Sequence, residues 1–179
     1  MSNIWTQTSR DIRFDLAEPN PDDVDMEDIA HALSQICRFT GHTKVFYSVA
    51  QHSCLACKEA VRRNCHSDVV KWALMHDTAE AYTGDISRPV RNLLGTDIAE
   101  IEGRIYSAIV QRFNLPFMIP EEVFEIDNAL LHTEALQLLG EPAGVWEPMP
   151  PPLDIHITPW TSKVAYQTFI AKAELLGIE

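Results

Sequence analysis

Trp72-Ala73-Leu74-Met75-His76-Asp77-Thr78-Ala79-Glu80 is the stretch on which the reading of this chain turns. Val69, Val70, Trp72, Ala73 and Leu74 are apolar at the density of a buried helix, and Ser67-Asp68 offers a cap before them. The helix is expected to run to about Tyr82, with Gly84 as its stop. Such a helix carries its polar groups towards the interior. An imidazole and a carboxylate are costly there unless paired, hydrogen-bonded or bound to metal. Glu80 follows His76 by four residues and shares its helical face. Three polar groups thus converge at one buried helix end.

A single His-Asp pair also fits a satisfied core histidine or a solvated helix end. Its company decides between these readings. Upstream, Ser48-Val49-Ala50-Gln51-His52-Ser53 places His52 mid-helix among apolar positions. Downstream, Phe124-Glu125-Ile126-Asp127-Asn128-Ala129-Leu130-Leu131 has Asp127 interrupting an apolar helical run. Three helices therefore each bring one or two ligand groups to a buried level. Two imidazoles and two carboxylates suit one divalent transition metal, Co, Mn, Zn, Fe or Ni. Such a set leaves positions open for water and substrate.

The remaining chain reads as more helices. Asp25 followed by Asp28 resembles a capping box before Ile29, Leu33 and Ile36, with Gly41 as the expected end. A second helix is expected over Val45 to about Asn64. Pro89 suits the first turn of a short helix at Val90–Leu94. Further helices are expected over Asp97–Phe113, from Pro120 to Leu138, and over about Thr161–Leu176. Residues 1–24 read as an N-terminal arm and 141–159 as a proline-rich loop that returns a C-terminal helix, 160–179, to the body. The only strand candidate is Asp154–Thr158, and no internal repeat is found. The expectation is an all-α fold: a compact single-domain bundle of about six to seven helices around a metal site.

Composition narrows the function classes. The 179 residues are 46% apolar and 22% charged, ordinary for a globular chain with a real core. No apolar run approaches the roughly 20 residues of a membrane helix, and no secretory leader is evident, so a cytoplasmic location is expected. The net charge of −12 repels a polyanion, which argues against polymeric nucleic acid as a partner. A bound cation still reverses the field locally for a small anion. Cys37, Cys54, Cys57 and Cys65 are expected as reduced thiols. The Cys54-x-x-Cys57 pair has no second pair beside it and reads as small buried side chains rather than a zinc or redox site.

The order His…His-Asp…Asp on successive helices resembles the HD-domain phosphohydrolases. It is most similar to the bacterial and phage branch with 5′-deoxynucleotidases and dATP triphosphohydrolases. The resemblance rests on Glu27-Asp28-Ile29-Ala30-His31-Ala32-Leu33, Ile36-Cys37-Arg38-Phe39, Gly41-His42-Thr43 and Tyr47-Ser48-Val49-Ala50-Gln51-His52-Ser53. It continues through His76-Asp77-x-x-Glu80, Thr83-Gly84-Asp85-Ile86 and Ile126-Asp127, covering about residues 5–140.

The resemblance implies His52, His76, Asp77 and Asp127 as metal ligands. It implies Glu80 as the group that orients or deprotonates the attacking water. Asp85 stands where relatives face the sugar or help a second divalent ion near Glu80; it equally suits the cap of the next turn. Arg38 maps onto a phosphate-binding arginine. Phe39 replaces the tryptophan that crowds the sugar in the bacterial deoxynucleotidases, which weakens any inference of strict deoxyribose selection. His42, Lys44 and Arg88 are further candidates for substrate contact, and Trp5 for an aromatic wall. His31 and His132 are expected in core or outer-shell roles, and His66 and His156 in loops or caps. The implied partner is a nucleotide, with hydrolysis of a 5′-monophosphate ranked before a dATP or dNTP triphosphohydrolase reaction. An alarmone hydrolase and a degenerate nucleotide-binding module are the other readings. A homo-oligomer is expected by the same resemblance.

Overall fold

Capping signals and apolar periodicity set most of the elements. In the computed structural model, residues 4–141 and 148–178 are described. Two short strands, β1 (Trp5–Gln7) and β2 (Arg13–Asp15), precede the helices α1 (Met26–Gln35), α2 (Val49–Arg62), α3 (Ser67–Met75) and α4 (Glu80–Thr83). The helices α5 (Arg88–Leu94), α6 (Thr96–Phe113), α7 (Glu121–Leu138) and α8 (Ser162–Leu175) complete the order. The fold is all-α apart from the hairpin.

The arm is more ordered than its composition suggests. β1 and β2 pair antiparallel, Trp5 opposite Asp15, around a turn in which Asp11 takes φ 62°. Phe14 from this hairpin is fully buried and stacks on Tyr82. A 3-residue strand carries too little alternation to be read from sequence. Asp25 does cap α1, accepting from the backbone N–H groups of Glu27 and Asp28. The box is not closed, because Asp28 turns instead to Ser9 Oγ and the Arg10 backbone N–H.

Several expected boundaries move. α1 stops at Gln35, not Gly41. Ile36 is extended, and Cys37 forms an antiparallel bridge with Ser48. Between them the chain turns sharply at Arg38–Gly41, with Phe39 and Thr40 at φ 53°. α2 accordingly starts at Val49, capped by the Ser48 hydroxyl, so His52 sits in its first turn rather than mid-helix. His66, not Ser67-Asp68, caps α3, accepting weakly from the Asp68 N–H.

No strand forms at Asp154–Thr158. The segment is held by side chains that act as ladder partners. Gln137 accepts from Ile157 N and donates to Ile155 O. Thr133 accepts from Leu153 N, and Gln51 spans Thr158 O and Trp160 N. The proline-rich loop expected at 141–159 is irregular where described; residues 142–147 of it, with 1–3 of the arm and 179 of the last helix, lie outside the described residues.

α2 is the central element, packed against α1, α3, α7 and α8. Ile29, Leu33, Val49, Ala50, Leu74, Met75, Ile126, Leu130 and Phe169 are among the side chains closed off from solvent around it. Burial of each large apolar group contributes about 1.5–3 kcal/mol. Trp72 is buried with its indole N–H donating to Pro116 O, so its polar edge is not left unpaired. No described helix is long and apolar enough to cross a membrane.

Candidate metal centre

The helix expected through Tyr82 breaks after Met75, at the level of the site. Here the backbone tightens, with Thr78, Glu80, Ala81 and Tyr82 N–H groups each donating to the carbonyl three residues back. Thr78 Oγ1 also donates to Met75 O, and Tyr106 OH donates to His76 O. His76 Nε2 and Asp77 Oδ2 lie 3.4 Å apart.

His52 arrives from α2 and Asp127 from α7. His52 Nε2 is 3.2 Å from His76 Nε2, 3.1 Å from Asp127 Oδ1 and 3.6 Å from Asp77 Oδ2. The far nitrogen of each ring meets a hydrogen-bond acceptor. His76 Nδ1 lies 3.1 Å from Ala73 O, and His52 Nδ1 lies 2.7 Å from Glu134 Oε1. With a proton on each Nδ1, both Nε2 atoms present lone pairs to one another beside a carboxylate oxygen. Facing lone pairs at this distance repel unless a proton or cation lies between them. Among the described residues, His52, His76 and Asp127 form one group that could hold a metal ion, its ligand atoms all within 4.8 Å of one another. The donor set of two imidazoles and carboxylate oxygen fits a divalent transition ion.

Protonation shows the same demand. Burial and Arg38 disfavour an imidazolium at His52, but Glu134 and Asp127 outweigh them and raise its pKa to about 9. For Asp127, burial disfavours the charge, while the hydrogen bond and charge of His52 hold the carboxyl well below its ordinary range.

Arg38 is buried beside these groups, 3.1 Å from Glu134 Oε2 through Nε and 3.4 Å from Asp77 Oδ2 through Nη1. Burial opposes its charge, but Glu134, Asp77, Asp127 and Asp85 stabilise it. Phe39 lies next to it, with the guanidinium carbon 5.7 Å from the ring centre. Glu80 is buried at the start of α4, with Oε2 unpartnered and Oε1 3.5 Å from Arg91. Burial, then Asp77 and Asp85, raise its pKa well above the usual carboxylate value. Burial also raises Asp85, which feels Arg38, Asp77 and His52.

Other candidates stand apart. His42 and Lys44 are exposed, and their backbone N–H groups donate to Phe39 O and Leu138 O. Arg88 donates to Asn128 Oδ1. Trp5 takes Arg13 against its ring. His31 is exposed rather than in the core. His132 serves the loop, its Nδ1 lying 2.7 Å from Pro150 O, and is no outer-shell partner of the ligands. Cys54 and Cys57 are free and buried, and burial pushes the Cys54 thiol up to about 12.

The HD domain family model matches residues 39–128, half of the chain, and spans His52, His76, Asp77 and Asp127. The chain belongs to the HD-domain family. Across 96% of its length it is 35% identical to YfdR of Escherichia coli, an uncharacterized protein of which 94% is covered. It is 34% identical to an uncharacterized Rhodobacter capsulatus protein, over 78% of this chain and 76% of that one. Membership in the HD-domain family implies metal-dependent hydrolase chemistry. Arg38 and Glu134 fall outside the matched segment yet close this HD site. Sequence reading missed Glu134, Tyr47, Arg91, Glu102 and Tyr106. A signal for Glu134 did exist: it follows Asp127 by seven residues, two helical turns, on the same face of α7.

Proposed function

We propose that this HD-domain protein hydrolyses the phosphate ester of a nucleoside 5′-monophosphate, with one divalent ion held by His52, His76, Asp77 and Asp127. The observation that carries the proposal is the convergence of the His52 and His76 Nε2 lone pairs with Asp127 Oδ1 and Asp77 Oδ2, beside the buried Arg38. Bound there, the ion supplies Lewis acidity to a phosphoryl oxygen and to the attacking water.

The chain's own groups do the rest. Arg38 presents its guanidinium to phosphate oxygens and neutralises charge as it grows in the transition state. Its Nε edge is held by Glu134. Glu80 takes a proton from the attacking water; burial lifts its pKa above the usual carboxylate value, which makes the carboxylate a stronger base. Asp85, which shares the field of Arg38, Asp77 and His52, would meet the sugar.

A short phosphate is favoured by how the arginines are used. Arg38 faces the ligand carboxylates, whereas Arg88 is engaged with Asn128 and Arg91 with Glu102 and Ile86 O. A triphosphate tail needs several cationic partners.

Product analysis tests this reading. The purified protein is loaded with Co, Mn or Zn and offered dAMP, AMP, dATP, dGTP and ATP separately. Phosphate and nucleoside from a monophosphate are expected. Inorganic triphosphate released from dATP would refute the substrate class and make the protein a triphosphohydrolase.

A further inference from the structure

Glu134 is closed off from solvent on α7, and both its oxygens are occupied. Oε1 lies 2.7 Å from His52 Nδ1 and accepts from Tyr47 OH at 2.7 Å. Oε2 accepts from Arg38 Nε at 3.1 Å. The circuit then closes, because Arg38 Nη1 reaches Asp77 Oδ2, which lies 3.6 Å from His52 Nε2. One buried carboxylate therefore grips a ligand histidine and the phosphate-facing arginine together. Tyr47 OH and Arg38 Nε both donate to it, so each of its oxygens is used as an acceptor. An ionised carboxylate is acceptor-only. That property keeps the proton on Nδ1 of His52, leaves Nε2 free for the metal, and fixes one edge of Arg38.

We propose that Glu134 is a positioning residue that couples metal loading at His52 to oxyanion binding at Arg38. The proposal rests on the metal-site reading above. It has a specific chemical consequence for the isosteric change Glu134→Gln. The amide has one oxygen and one NH2 group. If its oxygen faces His52 and Tyr47, the NH2 opposes the Arg38 Nε–H. If it is turned over, the NH2 opposes His52 Nδ1 and favours the tautomer whose proton blocks Nε2. Neither orientation serves both partners.

The test uses the full chain. Long-range 1H–15N spectra of the imidazoles locate the protons on His52, metal-free and zinc-loaded. Nδ1 is expected to carry a proton in both states of the wild type; a proton on Nε2 alone, or zinc on Nδ1, overturns the proposal without any variant. In Glu134→Gln, zinc affinity measured by chelator competition is expected to fall about 10–100-fold, the usual effect of losing such a partner. The affinity of the zinc-loaded protein for inorganic phosphate is expected to fall with it. Tyr47→Phe, which removes a different donor from the same carboxylate, should change each by less than about threefold. Unchanged zinc affinity in Glu134→Gln, or a loss of zinc with phosphate affinity intact, refutes the coupling. Wild-type protein that takes up no divalent ion refutes the metal reading instead, whereas the His52 proton reports on Glu134 in either case.

Discussion

Raising the pH from 6.5 to 9 should destabilise the metal-free protein and leave the metal-loaded protein nearly unaffected. In the metal-free fold, His52 has its pKa raised from 6.5 to about 9, because Glu134 and Asp127 outweigh burial and Arg38. A raised basic pKa means that the native state holds the proton more tightly than the unfolded chain. The stabilisation is then fully present below pH 6.5 and is lost as pH rises through 9. At about 1.4 kcal/mol per pH unit, the loss comes to about 3 kcal/mol. That is a large share of the roughly 5–15 kcal/mol stability of a typical domain. A metal on Nε2 replaces the proton, so the loaded fold has no His52 titration across this window. Glu80 contributes in the same direction, because its raised carboxyl also binds a proton more tightly in the native state. Urea unfolding at pH 6.5, 7.5 and 9 is therefore done in Glu80→Gln, with and without zinc. Equal pH dependence in the two states, or a metal-free stability flat over the window, would show that His52 does not face Glu134 and Asp127 as described.

The site makes other predictions. His76→Ala and Asp77→Ala should each abolish stoichiometric metal binding and phosphatase turnover; elemental analysis showing full occupancy in both would remove these ligands from the site. Glu80→Ala should keep the metal while kcat falls about 10²–10⁴-fold, the usual worth of a general base, and near-normal turnover would exclude that role. Arg91→Met leaves the buried Glu80 and Glu102 carboxylates without their shared cation. Loss of one partner from a fully buried pair is worth about 3–5 kcal/mol, and the partial exposure of Arg91 brings the expected cost below that; a midpoint in urea unchanged from wild type would contradict this description. Ser48→Ala removes the N-cap of the helix that carries His52, at a cost of about 1 kcal/mol, measured in the same unfolding assay.

Much of this site was legible in the sequence because its signals are local. Apolar periodicity and caps are written within a few residues, so α6, α7 and α8 fall close to where their patterns place them. The types and order of His52, His76, Asp77 and Asp127 suit a divalent metal by ligand chemistry. Tertiary structure decided how those groups meet. The break after Met75 is stabilised by Tyr106, 30 residues away, whose hydroxyl donates to the His76 carbonyl. Glu134 acquires its meaning from partners 82, 87 and 96 residues distant, His52, Tyr47 and Arg38. The segment Asp154–Thr158 has an extended pattern, yet its backbone is satisfied by Gln51 and Gln137 side chains instead of a strand. A buried polar group must find its partner wherever the fold brings one. That requirement is a property of three-dimensional neighbours, and periodicity along the chain carries no record of it.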